Sequence, residues 1–418
     1  VLDSGLAVVT EEMPESRSVA AGFFVGTGGR DEAPADAGAS HFLEHLLFKG
    51  TPSRSAREIA VAIDRVGGEM NAYTAREYTS FYLRLLGEDL ELGLDVLADI
   101  MTHPALRPAE VDAERQVIME EILMHADEPA DVAHERATAE LFAGHPLGRE
   151  VLGTPESVAG LGPAEIRRFF DHHYRPANLV FAAAGQVDHD AIVAGLLRRM
   201  GSASGGGRPV RERPGPATTT LRIESRPSEQ AHVVVAMVAP DRHDRRRYAL
   251  DVLDHALGGG VSSRLFQEVR ERRGLAYSVY SDRVAYSDAG ILLVYAGTAP
   301  GRAREVLDLV AAELDRMARE GVSAEEVEVA KGHLRAALLL SLEDPGARMS
   351  RIGRSQLLHG EVLSAEELVG RIDAVTIEEV GALASEILSG PRATVVVGPF
   401  DPDDTSLRPR QDLLEAPE

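Results

Sequence analysis

Residues 41–50 read His-Phe-Leu-Glu-His-Leu-Leu-Phe-Lys-Gly, and three of them have types and spacing that could do chemistry together. On a helix, His41 and His45 are one turn apart on the same face, with Glu44 beside them. Two imidazoles at i and i+4 can hold one metal ion through their ring nitrogens. A carboxylate at i+3 then lies close enough to take a proton from a metal-bound water. The spacing is H-x-x-E-H, the inversion of the commoner H-E-x-x-H metal helix. The pentad alone leaves open an amphipathic helix whose histidines are surface or capping groups.

A further oxygen ligand has candidates downstream. The stretch 108–126 reads as a helix carrying Glu114, Ile118 and Glu121 at i, i+4 and i+7, which is nearly two full turns. These residues share a face with apolar neighbours, and carboxylates on a partly buried stripe are costly unless a metal or hydrogen bonds compensate. Glu120 lies next to Glu121, so the helix is acid-rich in any case. Spacing does not decide which of Glu114, Glu120 and Glu121 would be a ligand.

The elements that must position these groups belong to a chain of 418 residues, long enough for two domains of about 200 residues each. A hydrophobic content of 44% with 27% charged residues describes an ordinary globular composition. With no cysteine there is no disulfide framework, no thiolate-bound zinc and no thiol nucleophile, which is compatible with a cytoplasmic location. No run of 18 apolar residues suggests a membrane span. Residues 1–25 lack a signal-peptide pattern, although Val1 in place of Met leaves room for a preceding segment. A net charge of −23 argues against a nucleic-acid partner, whose phosphates require Lys and Arg. A solvated acidic surface accounts for that charge, and an acidic cavity attracting basic peptides is the sharper alternative.

In chain order, residues 1–10 and 18–26 read as strands. Gly26-Thr27-Gly28-Gly29 lacks the Gly-Lys-Ser/Thr that completes a phosphate loop, so it reads as a strand end. Ser40 is a plausible N-cap for the His41 helix. A helix over 55–66 ends at Gly67-Gly68, residues 70–86 alternate as a strand or hairpin would, and helices follow near 88–102, 108–126, 130–143 and 163–171. Residues 178–187 form a buried strand. His172 and His173 are adjacent and point apart on a helix; they read as structural, as do His125, His134 and His145. Gly201 to Pro216, with three consecutive glycines and then three prolines, reads as a flexible linker.

The second half repeats the first. Pro108-Ala109-Glu110-Val111 resembles the segment 323–327, Asp127-Glu128-Pro129 resembles Glu343-Asp344-Pro345, and the stretch 41–50 lines up with 251–260. The repeat is informative where it fails: His41 becomes Asp251, Glu44 becomes Asp254, and Glu121 becomes Ala337. One half keeps the constellation and the other keeps only the fold, and a duplicated helix needs no His, Glu and His to pack.

With these motifs in place, the sequence resembles a pitrilysin-type (M16) metallopeptidase, and most of all the processing-peptidase-like (M16B) branch in its bacterial form. The similarity covers nearly the whole chain. Gly38 to His45 and Phe48 to Thr51 match the metal-helix pattern of the family. Its remaining ligand is a glutamate 76 residues after the second histidine, which falls on Glu121, with a supporting acid on Glu114. The resemblance implies that His41, His45 and Glu121 bind Zn²⁺ and that Glu44 is the general base. Gly67-Gly68 and Asn71-Ala72-Tyr73-Thr74 resemble the substrate-strand motif, where Asn71 and Ala72 contact the peptide backbone. Phe48 matches a position that contacts the side chain just after the scissile bond. Arg270 and Tyr277 fall on the family's Arg/Tyr pair, which approaches substrate from the facing half of a clamshell.

The resulting expectation is an α+β protein of two homologous domains, each a mainly antiparallel sheet packed against helices. The boundaries are 1–204 for the catalytic domain, 205–217 for the linker and 218–418 for a domain without ligands. The expected activity is zinc-dependent endopeptidase action on peptides, with basic ones as candidates, in a homodimer or in a heterodimer with a homologue, where Arg270 and Tyr277 would serve the partner's site. The rival is a non-catalytic scaffold or peptide-binding subunit of the same fold.

Overall fold

The computed structural model describes residues 1–201 and 204–407. Five strands form the first sheet: β1 (Ala7–Glu12), β2 (Ser18–Val25), β3 (Glu69–Thr74), β4 (Thr79–Leu86) and β5 (Leu179–Gly185). Five more form the second: β6 (Thr220–Ser225), β7 (Ala231–Ala239), β8 (Ala276–Ala285), β9 (Gly290–Thr298) and β10 (Arg392–Gly398). The spatial orders, β1-β5-β2-β4-β3 and β6-β10-β7-β9-β8, are the same pattern twice. In each sheet only the β1–β5 type of pair is parallel and the rest are antiparallel. The expected duplicated α+β architecture is present.

The compact units, however, are not two contiguous halves. Among the described residues, one comprises 1–123, 149–201, 204–211 and 339–363, and the other 124–148, 212–338 and 364–407. Each half of the sequence contributes a helix to the sheet built from the other half's strands. Helix Pro345–His359 lays Met349, Ile352 and Leu357 on Ala20, Phe24, Val180 and Ala182 of the first sheet. Helix Pro129–Leu141 lays Val132, Ala133 and Ala137 on Val234, Ala236, Val395 and Val397 of the second. The reason lies in the strands. All seven residues of β5 are buried, so both of its faces need cover. The first unit's own helices, including Ala39–Leu47 and Leu90–Thr102, bury only one face, with Phe23, Phe81, Leu83 and Phe181. The returning helix covers the other and comes so close that a Cβ on Gly353 would lie 2.2 Å from the Phe24 ring.

Residues 204–219 carry no regular secondary structure, yet their arginines are bonded. Arg211 donates to Asp31 at 2.8 Å within the first unit, and Arg213 to Asp241 at 3.1 Å within the second. Among the described residues, no helix is long and apolar enough to cross a membrane.

Candidate metal centre

Helix Ala39–Leu47 carries the pentad. Its N-cap is Gly38 rather than Ser40, in a left-handed conformation (φ 92°) where a Cβ would meet the Leu152 carbonyl at 2.7 Å. Ser40 sits inside the first turn, buried. A glycine cannot cap through a side chain, and Glu32 does so from upstream: its carboxylate oxygens accept from the Gly38 and Ser40 N–H groups at 2.8 and 2.7 Å. Burial pushes Glu32 up to about 7, against the lowering effect of those N–H bonds. Sequence reasoning missed Glu32 because nothing local links a loop acid to a helix start several residues on.

The helix sets the two imidazoles edge to face, with ring centroids 4.7 Å apart. Helix Pro108–Asp127 brings Glu121 to them, with its Oε2 3.5 Å from Nε2 of both His41 and His45. A tetrahedron with metal–ligand bonds of ~2.1 Å has edges of ~3.4 Å, so these separations suit three ligands of one ion better than hydrogen bonds. Among the described residues this is the only group of three or more His, Asp or Glu side chains so disposed, with its ligand atoms within 4.8 Å of one another. The two-nitrogen, one-oxygen donor set fits Zn²⁺ with a position left for water.

The acids that spacing could not rank separate in space. Glu114 is buried and is not one of the three clustered groups. Oε2 lies 3.2 Å from His45 Nδ1, and Oε1 lies 2.6 Å from Lys49 Nζ. Glu120 is exposed. Lys49 lies within the stretch 41–50, and its pairing with Glu114 forms only where the two helices meet.

Glu44 is half-buried, and its Oε2 accepts a 2.6 Å hydrogen bond from the Thr74 hydroxyl. Burial raises its pKa, opposed first by that bond and then by His45, while Glu121 raises it further. Thr74 ends β3, which among the described residues is an edge strand paired with β4 alone. Along it, Asn71 is exposed, with its Oδ1 accepting from the Ala72 N–H at 2.8 Å, and Ala72 is buried. Phe48 caps the C-terminus of the pentad helix, half-buried, with its ring 6.0 Å from that of Phe81.

Arg270 and Tyr277 lie in the second unit and meet each other. The guanidinium sits between the rings of Phe266 and Tyr277, 4.7 and 5.0 Å from their centroids, and Tyr277 is 81% exposed. In the same unit the counterparts of the pentad have other work. Asp251 is ion-paired with Arg283 and is pushed up to about 6 by burial, Asp254 accepts from the Ser281 hydroxyl at 2.6 Å, and the His255 ring stacks on His333 at 4.2 Å.

His125, His134, His145 and His173 have partners away from this cluster. His173 bonds Thr27 Oγ1 at 3.2 Å and packs on Phe169, His134 donates to the Ala130 carbonyl at 2.8 Å, and His145 meets the Glu212 carbonyl at 3.0 Å. His125 lies 3.7 Å from Asp131.

Two family models match the chain. One, described as insulinase (peptidase family M16), covers residues 7–155, and the other, described as the peptidase M16 inactive domain, covers 161–334. A protein described as an uncharacterized zinc protease of Mycobacterium tuberculosis is 47% identical over 403 residues, spanning 95% of this chain and 92% of its own. One of the same description from Bacillus subtilis is 37% identical over 397 residues, spanning 95% and 97%. The fold matches solved structures at low identity. A peptidase M16 inactive domain from Pseudomonas fluorescens superposes with TM-score 0.90 at 20% identity over 98% of both chains. A protease from Helicobacter pylori gives 0.90 at 22% over 96% of this chain and 98% of that one. With relatives this similar over almost its whole length, the chain belongs to peptidase family M16.

Proposed function

We propose that the protein is a zinc-dependent endopeptidase of the processing-peptidase-like (M16B) branch, with His41, His45 and Glu121 as ligands and Glu44 as the general base. The observation that carries this reading is the placement of Glu121 Oε2 equidistant from the two Nε2 atoms, with Glu44 on the same helix as both imidazoles. Bound zinc would polarise a scissile carbonyl and lower the pKa of a coordinated water toward ~7.

The chain's own residues do the rest. Glu44 takes the proton of the attacking water and delivers it to the leaving amine. The open edge of β3 accepts the substrate backbone at Asn71 and Ala72 as an added strand. Phe48 receives the side chain after the scissile bond, and Glu114 orients His45 through Nδ1. Tyr277 and Arg270 donate to the developing oxyanion and serve a second chain in a dimer. The substrates are peptides or unfolded segments, with basic ones favoured by the acidic chain, and the enzyme works in the cytoplasm.

The test is incubation of the purified protein with a mixture of basic peptides, beside Glu44→Gln, with cleavage read by mass spectrometry and zinc by metal analysis. Cleavage by the wild type alone, at equal zinc content, is the expected result. A Glu44→Gln protein with wild-type turnover removes Glu44 from the mechanism. A wild type that holds no zinc and cuts nothing returns the chain to the scaffold reading.

A further inference from the structure

Nothing intrinsic to a glutamate fixes the plane of its carboxylate, because its last torsion is broad. A general base must nonetheless present one oxygen to water within hydrogen-bond reach. Glu44 therefore needs an orienting group, and the structure supplies one in Thr74, whose hydroxyl donates to Glu44 Oε2 at 2.6 Å. Thr74 is the last residue of β3, paired with Thr79 at the closed end of the β3–β4 hairpin.

The hairpin tip is itself gripped. The Gly29 N–H donates to the Ala75 carbonyl at 3.3 Å and the Arg30 N–H to the Arg76 carbonyl at 2.7 Å. Arg30 donates to Glu77 at 2.6 Å, with both side chains 2% exposed. Arg211 bonds the Glu77 carbonyl at 2.7 Å and Asp31 at 2.8 Å. This approach requires Gly28, where a Cβ would lie 2.1 Å from the Ala75 carbonyl oxygen. The glycine-rich stretch after β2 is the seat of the hairpin tip.

We propose that Thr74 is the positioning residue that orients Glu44 for proton transfer, and that the segment 28–31 holds Thr74 in place by gripping the tip of its hairpin. This inference rests on the peptidase reading and adds a link to it: the strand whose open edge would hold the peptide ends in the hydroxyl that sets the base.

The test compares Thr74→Val, which keeps the shape and removes the donor, with Thr74→Ser, which restores it. Peptide cleavage kinetics and zinc content are measured for both, and crystal structures of zinc-free wild type and Thr74→Val are compared at Glu44. The expected result is a kcat lowered on the order of 10- to 100-fold in Thr74→Val, with KM and zinc content unchanged. Most of the loss is recovered in Thr74→Ser, and the Glu44 carboxylate is displaced in the Thr74→Val crystals. An unmoved Glu44, an unchanged kcat, or a loss confined to KM or zinc content overturns the proposal. If the wild type cleaves no peptide, the peptidase reading falls, and the two crystal structures still decide whether Thr74 orients Glu44.

Discussion

Lys49 Nζ lies 2.6 Å from Glu114 Oε1, and the other oxygen of that carboxylate lies 3.2 Å from His45 Nδ1. A carboxylate accepting at Nδ1 places the proton there and leaves Nε2, the atom that faces Glu121, with its lone pair available. The buried Glu114 carboxylate is ion-paired with the half-exposed Lys49. Lys49 thus connects to the His41, His45 and Glu121 cluster only through Glu114 and His45.

Replacing Lys49 with Met keeps the apolar stem and removes the charge. Zinc affinity should fall roughly 10-fold, the lower end of what outer partners of metal-bound histidines contribute. Competition with a chromophoric chelator measures this directly, and an affinity equal to wild type would show that Glu114 orients His45 unaided.

The exchanged helix makes a separate prediction about folding. Gly353 faces the Phe24 ring with no room for a side chain. Gly353→Val should destabilise the protein by about 2–3 kcal/mol through overpacking, read as a lowered urea midpoint. Gly332, on a helix surface where a Cβ meets nothing within 4 Å, is the control: Gly332→Ala should be neutral or slightly stabilising. Equal behaviour of the two variants would mean that helix Pro345–His359 does not pack on the first sheet in solution.

His173 sets a pH dependence. Burial against Phe169 and the neighbouring His172 hold its pKa down at about 4, below the usual 6.5, so the folded protein keeps it neutral. The unfolded chain takes up the proton first as pH falls. The stability contribution is whole above pH 6.5 and is lost progressively between about 6.5 and 4, by on the order of 1–2 kcal/mol after allowing for solvent screening. Chemical denaturation across that window should show a shallower slope in His173→Gln than in wild type.

What the sequence determined by itself is what short-range geometry controls. The 3.6-residue period put His41, Glu44 and His45 on one turn, alternation marked residues 70–86 as extended, and the failed repeat at Asp251 and Asp254 singled out one half for chemistry. Each needs only neighbours within a few residues, and the duplicated pattern was enough for the fold class. The choice among Glu114, Glu120 and Glu121 was beyond spacing, because it depends on how one helix is rotated against another. That rotation is decided by packing of Val111, Ile118 and Ile122 into the first unit's core. The capping of the pentad helix by Glu32, the seating of the hairpin tip on Gly28, the bond from Thr74 to Glu44 and the crossing of helix Pro345–His359 to the first sheet were likewise left to tertiary structure. In each case the partners are far apart in sequence or in separate elements, and the contact exists because burying both faces of a sheet and satisfying buried polar groups leaves few other places for those residues to go.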